Sequence, residues 1–254
     1  MNGLEASIKD VLEFYNKFVG SYILFLLLIP TGIYFTLRSR FVQLFYVRHA
    51  VDIVLGRFDD AEDEGDISHF QALCTALSAT VGTGNIAGVA LAITMGGPGA
   101  IFWMWITGFL GMATKFAECT LAQHFRVIHE DGSTSGGPMY YIRDGLKDKL
   151  GYFAKVLAVL FALATVLTSF GTGNMAQSNS IVSGLSKVAC RAGTWWTGTS
   201  IEKAPDWVVI FLAAINAVLV GLVIIGGIKR IGQVASRLVP FMGVFYVISA
   251  IAII

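Results

Sequence analysis

The residues of this chain best suited to chemistry are Ser78-Ala79-Thr80-Val81-Gly82-Thr83-Gly84-Asn85-Ile86-Ala87-Gly88, which interrupt an apolar run of membrane length. Gly82 and Gly84 permit a helix to open, and opening frees backbone N–H and C=O groups that need partners. In hydrocarbon each unpaired group costs several kcal/mol, so such a break is tolerated only where it is buried in protein or lines a cavity. Where the helix resumes at Asn85 or Ile86, its first amides lack partners and its end carries roughly half a positive charge. The amides of Thr83 and Gly84 then suit a carboxylate. Where the first half-helix stops, the carbonyls of Ser78, Ala79, Thr80 and Val81 are released. With the side-chain oxygens of Thr83 and Asn85 they form a hard-oxygen set suited to sodium. One unwound segment thus offers an anion site beside a cation site, which is what co-transport of an amino acid with a cation requires. The competing reading is a glycine hinge packed closely on another helix. Asn85, Thr80 and Thr83 add polarity that packing does not need.

A second polar spot is Gly173-Asn174-Met175-Ala176-Gln177-Ser178-Asn179. Asn174, Gln177 and Ser178 fall on neighbouring helical positions and are expected to face one cavity, where Gln177 can donate to or accept from a substrate group. Hydrogen bonds between buried amides of packed helices are the alternative, and Asn216 reads as structural in that sense. The tetrapeptide Gly-Thr-Gly-Asn occurs at 82–85 and again at 171–174, too short a match to argue duplication. Lys115 and Glu118 stand three apart on a helix and are expected to pair near the inner end of a span, a proton relay being the sharper alternative. Cys74, Cys119 and Cys190 read as small apolar packing residues, and the four histidines show no ligand spacing. No GxSxG, HExxH, Walker loop or intramembrane Ser–His or Asp pair appears, so an enzyme lacks any base–nucleophile set and catalytic residues are none.

The elements that must position these residues follow from composition. Apolar residues make up 55% of the chain and charged ones 14%, against about a quarter charged in a soluble domain. Mean hydropathy is +0.69, and lipid is the solvent that explains both. A net charge of +1 gives no case for nucleic acid. Hydropathy predicts an outer segment 1–17 and a first membrane helix over 18–37, too long and too acidic at its start for a signal peptide. A cytoplasmic or interfacial amphipathic segment, 38–69, comes next. Its Phe41–Gly56 part either lies on the membrane surface or packs under the bundle, and its acidic run Asp59–Asp66 reads as a solvated face. Residues 70–254 hold a broken helix over 70–95, then spans at 101–123, 152–189, 207–227 and 238–254. The span 152–189 exceeds one bilayer crossing, so it tilts, projects into water, or bends at Gly171-Thr172-Gly173-Asn174. With the N-terminus outside, the inner loops hold Arg38, Arg40, Arg48, Arg57, Arg126, Arg143, Lys147, Lys149, Lys229, Arg230 and Arg237. The outer segments hold only Lys9, Lys17, Arg191 and Lys203, and that asymmetry favours this orientation.

The run Thr75–Ala90, the following Gly96-Gly97-Pro98-Gly99-Ala100-Ile101-Phe102-Trp103-Met104-Trp105, the stretch Gly111–Glu118 and the loop Gly136-Gly137-Pro138-Met139-Tyr140-Tyr141-Ile142 resemble the signature of the alanine or glycine:cation symporter family. The resemblance covers most of the chain. It implies an all-α integral membrane protein in a bacterial or archaeal plasma (inner) membrane. Its fold would be similar to the five-plus-five inverted-repeat bundle of the neurotransmitter:sodium symporters, with residues 70–254 as most of the first repeat and its first helix broken. By the same resemblance, Thr83 and Gly84 supply carboxylate-binding amides, and Thr80 is close to the substrate. The Thr80 carbonyl and the Asn85 side chain ligate sodium, the carbonyls of Ser78 and Val81 suit a second ion, and Gln177 contacts substrate from the long helix.

The expected function is therefore a secondary active symporter coupling sodium entry to uptake of a small neutral amino acid, alanine and/or glycine. Sodium is the coupling ion and there is no other cofactor. A channel lined by the same broken helix is the alternative, and concentrative uptake separates the two. The sequence stops at Ile254 inside an apolar helix, which reads as the N-terminal part of a longer protein. Its second repeat would complete the site, and the first half alone is expected to be inactive in transport.

Overall fold

Exposure is distributed as lipid, not water, demands. In a computed structural model that describes residues 3–58, 65–130, 132–197 and 204–253, the buried apolar residues are Cys74, Ala113, Ala154, Ala158 and Ala235. Leu26, Trp105, Leu167 and Ile225 are each more than two-thirds exposed. The accessible surface is 19762 Å², where a compact soluble protein of this mass has about 11,000 Å². Small residues inside and large apolar residues outside is the pattern of helices packed in a bilayer.

The helices follow the apolar runs. Helix α1 (Gly3–Phe14) continues through a π-helical stretch, Tyr15–Ile23, into α2 (Leu24–Arg38). Short helices α3 (Val42–Phe45) and α4 (Val47–Val54) come next, then α5 (His69–Thr80), a π-helical turn at Gly84–Gly88 and α6 (Val89–Gly96). Helix α7 (Gly99–His124) is followed by a hairpin of β1 (Val127–Ile128) and β2 (Thr134–Ser135), paired antiparallel, and by α8 (Pro138–Gly145) and α9 (Lys147–Leu150). Helix α10 (Tyr152–Thr168), a π-helical turn over Ser169–Met175 and α11 (Ala176–Thr197) form one long helix. Helices α12 (Asp206–Ile224) and α13 (Gly227–Ile253) complete the order. Among the described residues five helices are long and apolar enough to cross a membrane, and a sixth span results if α5 and the bent segment after it count as one. The segment Tyr152–Thr194 runs 43 residues, about 65 Å at ~1.5 Å per residue. It therefore crosses a ~30 Å hydrocarbon core tilted or with an end in water.

The packed pairs are α2 on α7, α5 on α13, α8 on α10 and α11 on α12. Two of these seams, α2 on α7 and α5 on α13, meet at glycines. At Gly32 of α2 an added Cβ would stand 2.8 Å from Leu110 Cβ and 3.3 Å from the Leu110 carbonyl oxygen on α7. At Gly232 of α13 it would meet Ile67 at 3.1 Å and Gln71 at 3.5 Å. An ion pair between Lys229 and Asp66, 3.3 Å, ties the starts of these two helices, which therefore run parallel. Helix α5 begins with a capping box in which the Ser68 hydroxyl accepts from the Gln71 amide and the Gln71 side chain accepts from the Ser68 amide.

One expectation changes here. Helix α13 begins at Gly227, eleven residues before the span expected at 238. Lys229, Arg230 and Arg237 therefore stand on its first turns and not in a loop, because Gly232 and Ala235 bury one side while the long cations reach out from the other. In the segment 38–58, α4 packs on α5; Asp52, Ile53 and Val54 are half-buried while Leu44, Phe45, Val47 and Val51 are exposed. Of the acidic run Asp59–Asp66, residues 59–64 lie outside the described residues, as does Lys203.

Gly32→Ala is expected to push α2 off α7, since backbone and Cβ, not a flexible tip, oppose the methyl. We expect unfolding in detergent to be easier by about 1–3 kcal/mol, read as a lower melting temperature.

Candidate functional site

The break lies where the glycines allow it. Helix α5 ends at Thr80, the chain resumes helical form at Gly84, and the two arms are bent by 57°. The Val81 amide makes the last regular bond, to the Leu77 carbonyl at 2.8 Å. The next amides turn elsewhere. Gly82 N–H donates to Asn85 Oδ1 at 3.2 Å, and Thr83 N–H donates to Gln177 Oε1 at 3.4 Å. The Asn85 amide closes a tight turn on the Gly82 carbonyl at 3.0 Å. In an unbroken helix these three amides would serve the carbonyls of Ser78, Ala79 and Val81. Their diversion releases those carbonyls from the ladder.

The hydroxyls beside the break bond back into their own helix: Thr75 to the Gln71 carbonyl, Ser78 to the Thr75 carbonyl and Thr80 to the Ala76 carbonyl. Ser78, Thr80, Val81, Gly84 and Asn85 are exposed, while Gly82, Thr83 and Gln177 are half-buried. The sequence-selected residues of the break are therefore together, and Gln177 of the long helix joins them across 94 positions. Gly82 makes that approach possible, because a Cβ there would stand 2.5 Å from Gln177 Nε2.

The second polar spot divides. Gln177 faces the break, whereas Ser178 donates to Asn174 Oδ1 at 3.0 Å and accepts from Asn216 Nδ2 at 3.4 Å on α12. With Asn179, Val182 and Val220 these line a groove of about 580 Å³ between α11 and α12. The expectation of one shared cavity fails because successive helical positions point ~100° apart. Asn174 and Ser178 share a face and Gln177 does not. Both Gly-Thr-Gly-Asn tetrapeptides overlap π-helical turns, Gly84–Gly88 and Ser169–Met175. That is a geometry common at functional sites and a consequence that four residues did not announce.

Lys115 Nζ and Glu118 Oε2 pair at 3.1 Å on α7. Burial pushes the Tyr141 phenol of α8 above its usual range, and the Glu118 charge adds to the effect. Arg143, bonded to Asp144 through two nitrogens at 2.8 and 2.7 Å, holds that exposed carboxyl below its ordinary range. Among the described residues no group of three His, Cys, Asp or Glu is placed to hold a metal.

A bundle with lipid-type exposure, several membrane-length helices and one span opened onto its own polar groups is a multi-pass membrane protein. This chain belongs to the sodium:alanine symporter family, whose description matches residues 5–254. It is 46% identical over 240 residues to the sodium/alanine symporter AgcS of Methanococcus maripaludis, covering 94% of this chain and 49% of that protein. To the amino-acid carrier protein AlsT of Bacillus subtilis it is 36% identical over 253 residues, 99% of this chain and 48% of AlsT. To the Bacillus subtilis protein named "Probable sodium/glutamine symporter GlnT" it is 36% identical over 245 residues, 96% of this chain and 46% of GlnT. The chain spans about half the length of these relatives.

Gly82→Ala is expected to swing the Gln177 amide away, since the obstructing atoms are the tip of a flexible side chain. Stability should fall by about 1 kcal/mol or less, and the backbone amides of 81–85 should exchange with solvent roughly tenfold faster as the Thr83 bond is lost. Hydrogen exchange read by mass spectrometry checks both halves.

Proposed function

We propose that this chain forms the first half of a sodium-coupled symporter for a small neutral amino acid, alanine and/or glycine. The single observation that carries the reading is the break in a spanning helix, which turns backbone amides and carbonyls into adjacent ligand groups. On this reading the amides of Thr83 and Gly84 take the substrate carboxylate at the positive end of the resuming helix, with Thr80 and Gln177 beside it. The carbonyls of Ser78, Thr80 and Val81 at the break and the Asn85 side chain offer oxygens to sodium, the hard cation they suit. The remainder of the carrier, an inverted second repeat, supplies the rest of the site within a bacterial or archaeal plasma membrane. The excess of Lys and Arg on the inner side supports an N-terminus outside.

Family membership and the symporter named among the relatives support coupled uptake over a channel. The energetics suffice. One sodium moving through ~100 mV supplies ~2.3 kcal/mol, which accumulates a neutral solute roughly forty- to fifty-fold.

Proteoliposomes containing the full-length carrier test the proposal. An inward sodium gradient should drive labelled alanine above equilibrium where a potassium gradient does not. Asn85→Ala should reduce that sodium-driven rate at least about tenfold, the cost of one missing ion ligand and one missing cap on Gly82. Uptake that only equilibrates, or that ignores sodium, contradicts the proposal and favours the channel.

A further inference from the structure

Gln177 stands where a ligand would. Its Oε1 accepts the Thr83 amide at 3.4 Å, its Nε2 lies against Gly82 with no Cβ between them, and the side chain is half-buried between the break and the long helix. The neighbouring Gly82 amide is capped locally by Asn85, three residues on in the same turn. The Thr83 amide, by contrast, is held from another helix. A side-chain carbonyl and a carboxylate oxygen are acceptors of the same kind, so each can satisfy this donor and only one can occupy the position in front of it.

We propose that Gln177 is an internal competitor for the carboxylate position on the Thr83 amide, and that this competition makes the site select amino acids over simple carboxylates. The inference rests on the reading above, in which the substrate carboxylate sits on the amides of the break. A carboxylate that takes the Thr83 amide displaces the carbonyl of the half-buried Gln177 side chain from its donor. Left without a donor, that displaced carbonyl weakens binding by a factor of about ten. Propionate brings no donor to replace the one that Gln177 loses. Alanine has the same carbon skeleton and carries an ammonium group with three N–H donors, one of which can meet the displaced carbonyl in a charge-assisted bond. The exchange is then balanced: the carboxylate receives Thr83, and Gln177 receives the ammonium. The glycine at position 82 acquires a second purpose in this account, since any side chain there would hold Gln177 off the amide.

The test measures competition by propionate against labelled alanine bound to the full-length carrier in saturating sodium. Wild type should hold propionate at least about tenfold more weakly than alanine. Gln177→Leu removes the competing carbonyl at similar volume, and propionate should bind about three- to tenfold more tightly than to wild type. Gln177→Glu places a carboxylate on the same amide, a stronger acceptor that also repels the ligand, and propionate should bind about tenfold more weakly. Opposite signs from the two variants are the signature of competition, because a side chain that merely props the helices would move both in one direction. If the leucine variant does not fold, Gln177→Met, similar in length, is read in its place with the same expectation. Propionate binding that is unchanged or weakened by the apolar variant overturns the inference while leaving symport untouched. Absence of sodium-dependent alanine binding in wild type overturns the underlying reading instead.

Discussion

The pairing of every backbone polar group inside hydrocarbon is the constraint on which this molecule turns. A helix meets it by default, and any opening must find other partners for the peptide groups it frees. Between Thr80 and Gly84 those partners are two side-chain amides. Asn85 folds back onto Gly82, and Gln177 reaches across from the long helix to Thr83. The carbonyls on the other side of the break are left to face outward from the ladder. Chemistry at this position is a by-product of geometry: donors and acceptors that a helix would have consumed stand within one turn of each other.

The rest of the bundle serves that opening by bringing helices close at glycines. Gly32 against Leu110, and Gly232 against Ile67 and Gln71, bring α2 to α7 and α13 to α5. The second of these seams grips the arm of the broken helix ahead of the break, reinforced where Lys229 meets Asp66. On the other side, α11 is joined to α12 through Asn174, Ser178 and Asn216. The segment that carries Gln177 is thus fixed on a neighbouring face while Gln177 itself points to the break.

Much of this was legible in the sequence for a physical reason: hydropathy and glycine are local signals. The apolar runs give the helices, and Gly82 with Gly84 marks the place where one of them opens. Two things were not legible. The start of α13 was hidden because Lys229, Arg230 and Arg237 look like a loop until Gly232 and Ala235 are seen packed on a neighbour, a tertiary fact. The division of labour among Asn174, Gln177 and Ser178 was hidden because adjacency on a helical wheel says nothing about which neighbour each face meets. A contact across 94 positions has no local signature at all. The family match extends over residues 5–254.

A broken helix that holds a cation and an anion side by side makes each strengthen the binding of the other. The direct measurement is a pair of titrations on the full-length carrier: alanine affinity with and without sodium, and sodium affinity with and without alanine. Linkage requires the two factors to be equal, and the account predicts both to be about tenfold or more, in the range typical of coupled sites. Alanine affinity that does not change with sodium would contradict it.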